Sequence, residues 1–126
     1  MKKIEVVAAV IEKDGLILVT QRGYGEFKGK WEFPGGKIKN EETHAEALKR
    51  EIKEELDIEV KVKDFILTVD YDYPDFHLTM STYYASIVEG EISLLEHMDM
   101  KWLKKEELEK VDWIDADIEI VKKLSI

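Results

Sequence analysis

Apolar residues crowd Ile4 to Glu12 and Leu16 to Thr20, with Lys13-Asp14-Gly15 between them. Two short apolar runs split by a turn-forming triplet predict a β-hairpin. Gly23 to Lys30 holds three glycines and no apolar period, which predicts a loop, then a short strand at Trp31 to Phe33 and a turn at Pro34-Gly35-Gly36. From Thr43 the period changes. Ala45, Leu48, Ile52 and Leu56 recur at helical spacing, and Thr43 with Glu46 forms a T-x-x-E capping box, so a helix runs from Thr43 to Leu56. Ile58 to Tyr71 and His77 to Val88 alternate apolar with polar residues around a Tyr73-Pro74-Asp75 turn, the pattern of a long antiparallel pair. A turn at Glu89-Gly90-Glu91, a strand at Met98 to Leu103, a short polar helix or turn at Lys104 to Lys110, and a closing helix at Asp115 to Leu124 complete the order. No linker or repeat interrupts it, which predicts one α+β domain over residues 1–126, with helices packed on a mixed sheet.

The central helix carries a second pattern. Glu51, Glu54 and Glu55 stand at i, i+3 and i+4, so they share an arc of about 100° beside the apolar stripe. At about 4 Å and an effective dielectric near 20, one such pair repels by on the order of 4 kcal/mol. Lys49 and Lys53 fall on the far side. A hard divalent cation bound by carboxylate oxygens is the expected remedy, with water and substrate phosphates as its remaining ligands. The alternative is a solvated acidic face. Glu42 before the cap, Arg50 beside the acids and the tight Pro34-Gly35-Gly36 turn favour the metal site.

Charge narrows the partner. A formal net charge of -9 with 37% charged residues lacks the basic field that a nucleic-acid polymer requires. The absence of cysteine excludes thiolate ligands and nucleophiles. No signal-like segment or membrane-length apolar run is present, so a cytoplasmic protein is expected. His44, His77 and His97 show no spacing that suggests a shared metal site.

Gly36, five residues, Glu42, seven residues, then Arg50-Glu51-Ile52-Lys53-Glu54-Glu55-Leu56 and an apolar Ile58 resemble the Nudix box, a signature of fixed residue types over 23 positions. One position departs: Asp57 stands where the family usually has Gly, at the left-handed end of the helix, a conformation Asp tolerates better than most. The resemblance implies a mixed sheet between helices, an α/β/α sandwich. It also implies Mg²⁺, or Mn²⁺, on Glu51, Glu54 and Glu55, with the base drawn from these acids. Gly35 would offer its carbonyl, Glu42 would support the metal shell, and Arg50 would fix the carboxylates by ion pairing.

Beyond the box the chain is similar to the MutT-like branch, which converts nucleoside triphosphates to monophosphate and pyrophosphate. The similarity rests on Gln21-Arg22, Trp31 to Lys37, Glu96 before Trp102, and Asp115-Ala116-Asp117. It implies phosphate contacts for Arg22 and Lys37, though either also suits a solvated cation. Glu96 would join the metal site or act on water, or is simply a solvated loop acid. Asp117 would hydrogen-bond the base edge, or serves as a first-turn acid of its helix. Tyr24, Phe33, Leu78, Met80 and Trp113 are candidate walls around the base, or core. The implied activity is removal of oxidised nucleotides such as 8-oxo-dGTP, a role in DNA repair. CTP-type pyrimidine triphosphates and ADP-ribose or another nucleoside diphosphate derivative are the alternatives, Pro74 standing about where the ADP-ribose branch carries a proline. A nucleotide-binding regulatory module is the non-enzyme rival. A monomer or homodimer is expected.

Overall fold

Alternation along the first strand sets the layers. In the computed structural model, which describes residues 1–125, β1 (Lys2–Lys13) turns Val7, Ala9 and Ile11 to one face and Ala8 and Val10 to the other, all buried. Each face is covered by a helix. On the first, α1 (His44–Leu56) buries Ala47, Leu48, Ile52 and Leu56 against Leu18, Ile58, Val60 and Ala85. Leu48, Ile52 and Leu56 are fully buried, each contributing about 1.5–3 kcal/mol. The second face packs α2 (Asp115–Leu124) through Ala116, Ile120, Val121 and Leu124 against Ile17, Val19, Trp31 and Val69. The expected sandwich of a mixed sheet between helices is therefore present.

The sheet order is β3-β2-β1-β6-β5, where β2 is Leu16–Arg22, β3 Trp31–Glu32, β5 Glu59–Asp72 and β6 Phe76–Glu89. Strand β1 runs parallel to β6 from the Lys2↔Phe76 to the Ile11↔Ala85 pair. Strands β5 and β6 form the long antiparallel pair expected from their alternation. Two further strands attach to it: β4 (Gly35–Lys37) pairs with β1, and β7 (His97–Leu103) with β2. A 3₁₀ helix at Lys105–Lys110 leads into α2.

Two local readings change. The Pro34-Gly35-Gly36 segment is not only a turn, because Gly35 and Gly36 open β4. A Cβ on Gly35 would collide with the Val7 backbone, so only glycine lets β4 lie this close to β1. On α1 the stripe is closed by Ala47, with Ala45 only half-buried. The expected capping box is formed: Thr43 Oγ1 accepts the Glu46 N–H at 3.1 Å, and Glu46 accepts the Thr43 N–H at 2.8 Å. Asp57 ends the helix left-handed, at φ 57°, its N–H donating to the Lys53 carbonyl at 3.0 Å. The departure from glycine leaves the helix end in the expected shape.

Candidate active site

The repulsion on α1 has a resident counter-charge in Arg50. Its Nε and Nη2 donate to the two oxygens of Glu42 at 2.6 and 2.8 Å. Nη1 reaches Glu51 at 2.8 Å and Glu54 at 3.4 Å, and Nη2 also bonds the Lys37 carbonyl at 3.0 Å. One guanidinium thus holds three carboxylates and ties the helix to the end of β4, a planar fork suited to the task. The Arg50 bond, aided by the Lys39 N–H, holds the Glu42 carboxyl down at about 2.

Glu55 faces inward. It is 5% exposed and accepts the Gly35 N–H at 3.2 Å. Burial, followed by the charges of Glu32, Glu51 and Glu96, pushes its pKa up to about 9. The Glu51 carboxylate lies directly over Gly36, where a Cβ would push it aside. The two glycines thus bring backbone against both acids.

The end of α1 also receives the loop before β7. Ser93 donates its N–H to the Leu56 carbonyl at 2.9 Å and Leu95 to that of Glu55 at 3.0 Å, satisfying carbonyls left open at the helix end. That docking delivers Glu96 and His97 beside Glu55. Across the gap, Arg22 grips Glu32 through Nε at 3.0 Å and Nη2 at 2.6 Å. Burial would raise the Glu32 pKa, but His97 and Arg22 outweigh it and hold it low.

These groups line one side of a cavity of about 680 Å³. Glu32, Glu51, Glu55 and Glu96 make its acidic wall, while Phe27, Phe33, Tyr73, Phe76, Leu78 and Met80 make an apolar one. Asp117 stands in the apolar part. It is 5% exposed, and its Oδ2 accepts the Phe33 N–H at 2.9 Å. Burial first, then the Glu32 charge, pushes its pKa up to about 8, so near neutral pH it carries a proton and can both donate and accept. Tyr73 accepts the Ala116 N–H at 3.1 Å through its hydroxyl and so orients the start of α2 beneath Asp117.

Of the residues singled out in the sequence, Arg22, Phe33, Gly35, Lys37, Glu51, Glu55, Leu78, Met80, Glu96 and Asp117 all line this cavity, as does the exposed Tyr24. Glu54 and Glu42 do not; they lie on the outer side, on Arg50. One expectation shifts, and the core alternative holds for Trp113. Arg22 spends two of its nitrogens, Nε and Nη2, on Glu32. Trp113 is core behind the wall, stacked on Phe33 at 4.7 Å with its Nε1–H donated to the Leu108 carbonyl. Asp117 makes no side-chain cap on α2, which removes the helix-cap explanation for it. Glu32, His97 and Tyr73 are site residues that the sequence did not reveal, because each is defined by partners far away in the chain.

Among the described residues no three acidic or histidine side chains are gathered tightly enough to enclose an ion. The donor set still suits a hard cation that keeps water and phosphate ligands. Burial first, then the charges of Glu32, Glu51 and Glu96, disfavours an ionised Glu55, and a bound cation would offset both.

The NUDIX domain model matches residues 1–124. The CTP pyrophosphohydrolase of Escherichia coli (strain K12) is 35% identical over 123 residues, covering 97% of this chain and 91% of that protein. An 8-oxo-dGTP diphosphatase of Proteus vulgaris is 37% identical over 94 residues, covering 73% of this chain and 84% of that one. The crystal structure of a MutT Nudix hydrolase from Burkholderia pseudomallei superposes with a TM-score of 0.87 at 26% identity, covering 98% of each chain. A matched box, a matched fold and relatives along nearly the whole length place the chain in the Nudix family, as a hydrolase of the MutT-like branch.

Proposed function

We propose that this Nudix hydrolase converts nucleoside triphosphates to monophosphate and pyrophosphate, with 8-oxo-dGTP as the preferred substrate. The observation that carries the reading is one cavity joining an acidic wall to an apolar pocket that holds the protonated Asp117. Phosphates belong at the first and a base at the second.

Glu51, Glu55 and the Gly35 carbonyl would hold Mg²⁺, or Mn²⁺, joined by Glu54 on leaving its 3.4 Å contact with Arg50, with Glu42 supporting them through Arg50 and Glu96 joining from the opposite loop. When bound, the metal lowers the pKa of water and neutralises phosphate charge. The chain's own groups do the rest. Glu51 and Glu96 would take the proton from water, Arg50 orients Glu51 through its 2.8 Å bond, and Arg22 Nη1 with Lys37 would meet the phosphate chain. Phe33, Leu78 and Met80 exclude water around the base. Asp117 accepts from N7–H of an oxidised guanine and donates to a neighbouring carbonyl oxygen, a pairing unmodified guanine lacks at N7.

The match to the Escherichia coli CTP pyrophosphohydrolase supports a second reading, since a protonated carboxyl also pairs with N3 and the amino group of cytosine. Incubation with Mg²⁺ and 8-oxo-dGTP, dGTP, CTP, dCTP and ADP-ribose, with product analysis, tests both. Pyrophosphate from 8-oxo-dGTP well above that from dGTP and CTP is the expected result. Highest turnover of CTP or dCTP would replace the first reading with the second. Cleavage of ADP-ribose alone, or of no compound at all, would overturn both.

A further inference from the structure

His97 is the first residue of β7 and forms part of the cavity wall, its side chain 4% exposed. Its Nε2 stands 3.3 Å from Glu32 Oε2 and 3.4 Å from Glu55 Oε2. Both distances exceed an ideal bond, as when one N–H is divided between two acceptors. Its Nδ1 is buried with no hydrogen-bond partner among the described residues. An N–H at Nδ1 would be stranded, which assigns the proton to Nε2 and leaves Nδ1 bare. The two carboxylates give the buried imidazole a polar partner on each side of Nε2.

The contact completes a continuous polar chain. Arg22 holds Glu32 bidentately, Glu32 and Glu55 share His97, and Glu55 takes the Gly35 N–H on its other oxygen. Oε1 of Glu55 is thus held from β4, while Oε2 lies 3.4 Å from the His97 Nε2 on β7. Without the β7 contact, Glu55 faces Glu32 with nothing between two buried acids, and its carboxylate would rotate toward solvent in the cavity.

We propose that His97 is a positioning residue for the metal-binding carboxylates: it separates Glu32 from Glu55 and sets the orientation in which Glu55 presents itself to a divalent cation. The inference rests on the metal-dependent reading above, but not on which nucleotide is cleaved. Partners that orient a metal ligand typically govern metal affinity by about 10–100-fold.

The test compares His97→Gln with His97→Asn in the chain of 126 residues. A Gln amide nitrogen reaches about where Nε2 lies, whereas an Asn amide reaches only about as far as Nδ1. Mn²⁺ binding is measured without nucleotide, by the electron paramagnetic resonance of unbound Mn²⁺, alongside thermal melting. A wrong substrate assignment does not touch this measurement. The Asn variant is expected to lose Mn²⁺ affinity by about 10–100-fold, and the Gln variant to recover it to within about threefold of wild type. On whichever triphosphate wild type cleaves, the Asn variant should show lower kcat at fixed Mg²⁺ with an unchanged KM for nucleotide. Wild-type Mn²⁺ affinity in the Asn variant would overturn the proposal, as would equal loss in both variants. If the Asn variant fails to fold, the Gln variant decides alone: recovery supports the role of the Nε2 position, and loss of affinity with intact melting overturns it.

Discussion

Asp117→Asn should stabilise the protein, and by an amount that depends on pH. The carboxyl is buried beside Phe33, near Glu32, and its pKa lies at about 8 against an ordinary 3.8. A carboxyl raised in the folded state binds its proton more tightly there than in the unfolded chain. Stability is therefore complete below the unfolded value and is lost as pH rises through the window to about 8. Each unit withdraws up to about 1.4 kcal/mol, so the window of roughly four units sets a ceiling of about 6 kcal/mol. Interiors relax and respond with an effective dielectric near 20, so an observed gain of about 2 kcal/mol at pH 8 is the expected figure. Asn is neutral throughout and its side-chain oxygen can still accept the Phe33 N–H, which in wild type is a 2.9 Å bond. Urea unfolding of both proteins from pH 4 to pH 9, followed by circular dichroism, measures the difference. The gap should be close to zero near pH 4 and widen steadily to pH 8. A gap that stays constant with pH, or a wild type more stable at pH 8, would refute the reasoning.

Two other substitutions probe the acidic helix. Glu55→Gln removes a buried acid whose pKa of about 9 reflects burial and three neighbouring charges; turnover should fall by about 10²–10⁴-fold while the metal-free melting temperature holds or rises, and near wild-type turnover would exclude Glu55 from the catalytic machinery. Arg50→Gln leaves Glu42, Glu51 and Glu54 facing one another, so the urea midpoint in metal-free buffer should drop, and millimolar Mg²⁺ should narrow the gap to wild type; an unchanged midpoint would mean that solvent alone screens the acids.

What the chain revealed by itself was mainly local. The Thr43–Glu46 box, the apolar stripe of α1, the alternation of β5 and β6 and the left-handed end at Asp57 are each written within a few residues, and each is found in the fold. The spacing of Glu51 and Glu55 likewise places both at the cavity. The same spacing does not separate them from Glu54, because a helical wheel cannot say which flank of an arc meets the sheet. Strand β4 escaped notice since glycines signal turns locally, and only the neighbouring Val7 backbone explains why they form a strand. The parallel pairing of β1 with β6 has no local signature at all. Glu32 and His97 are 65 positions apart in the chain, and each alone looks like an ordinary polar residue at a strand end.

Arg50 has a consequence for how the protein lives with its metal. An acidic helix neutralised by a side chain of the same helix has no need of an ion to fold, so the frame is complete before any cation arrives. Zinc-finger domains stand at the opposite pole, where the ion is the fold's keystone and is never let go. In the proposed site the cation would be a visitor, free to come with the phosphates of one molecule and depart with the product, while the helix that greeted it stays in place.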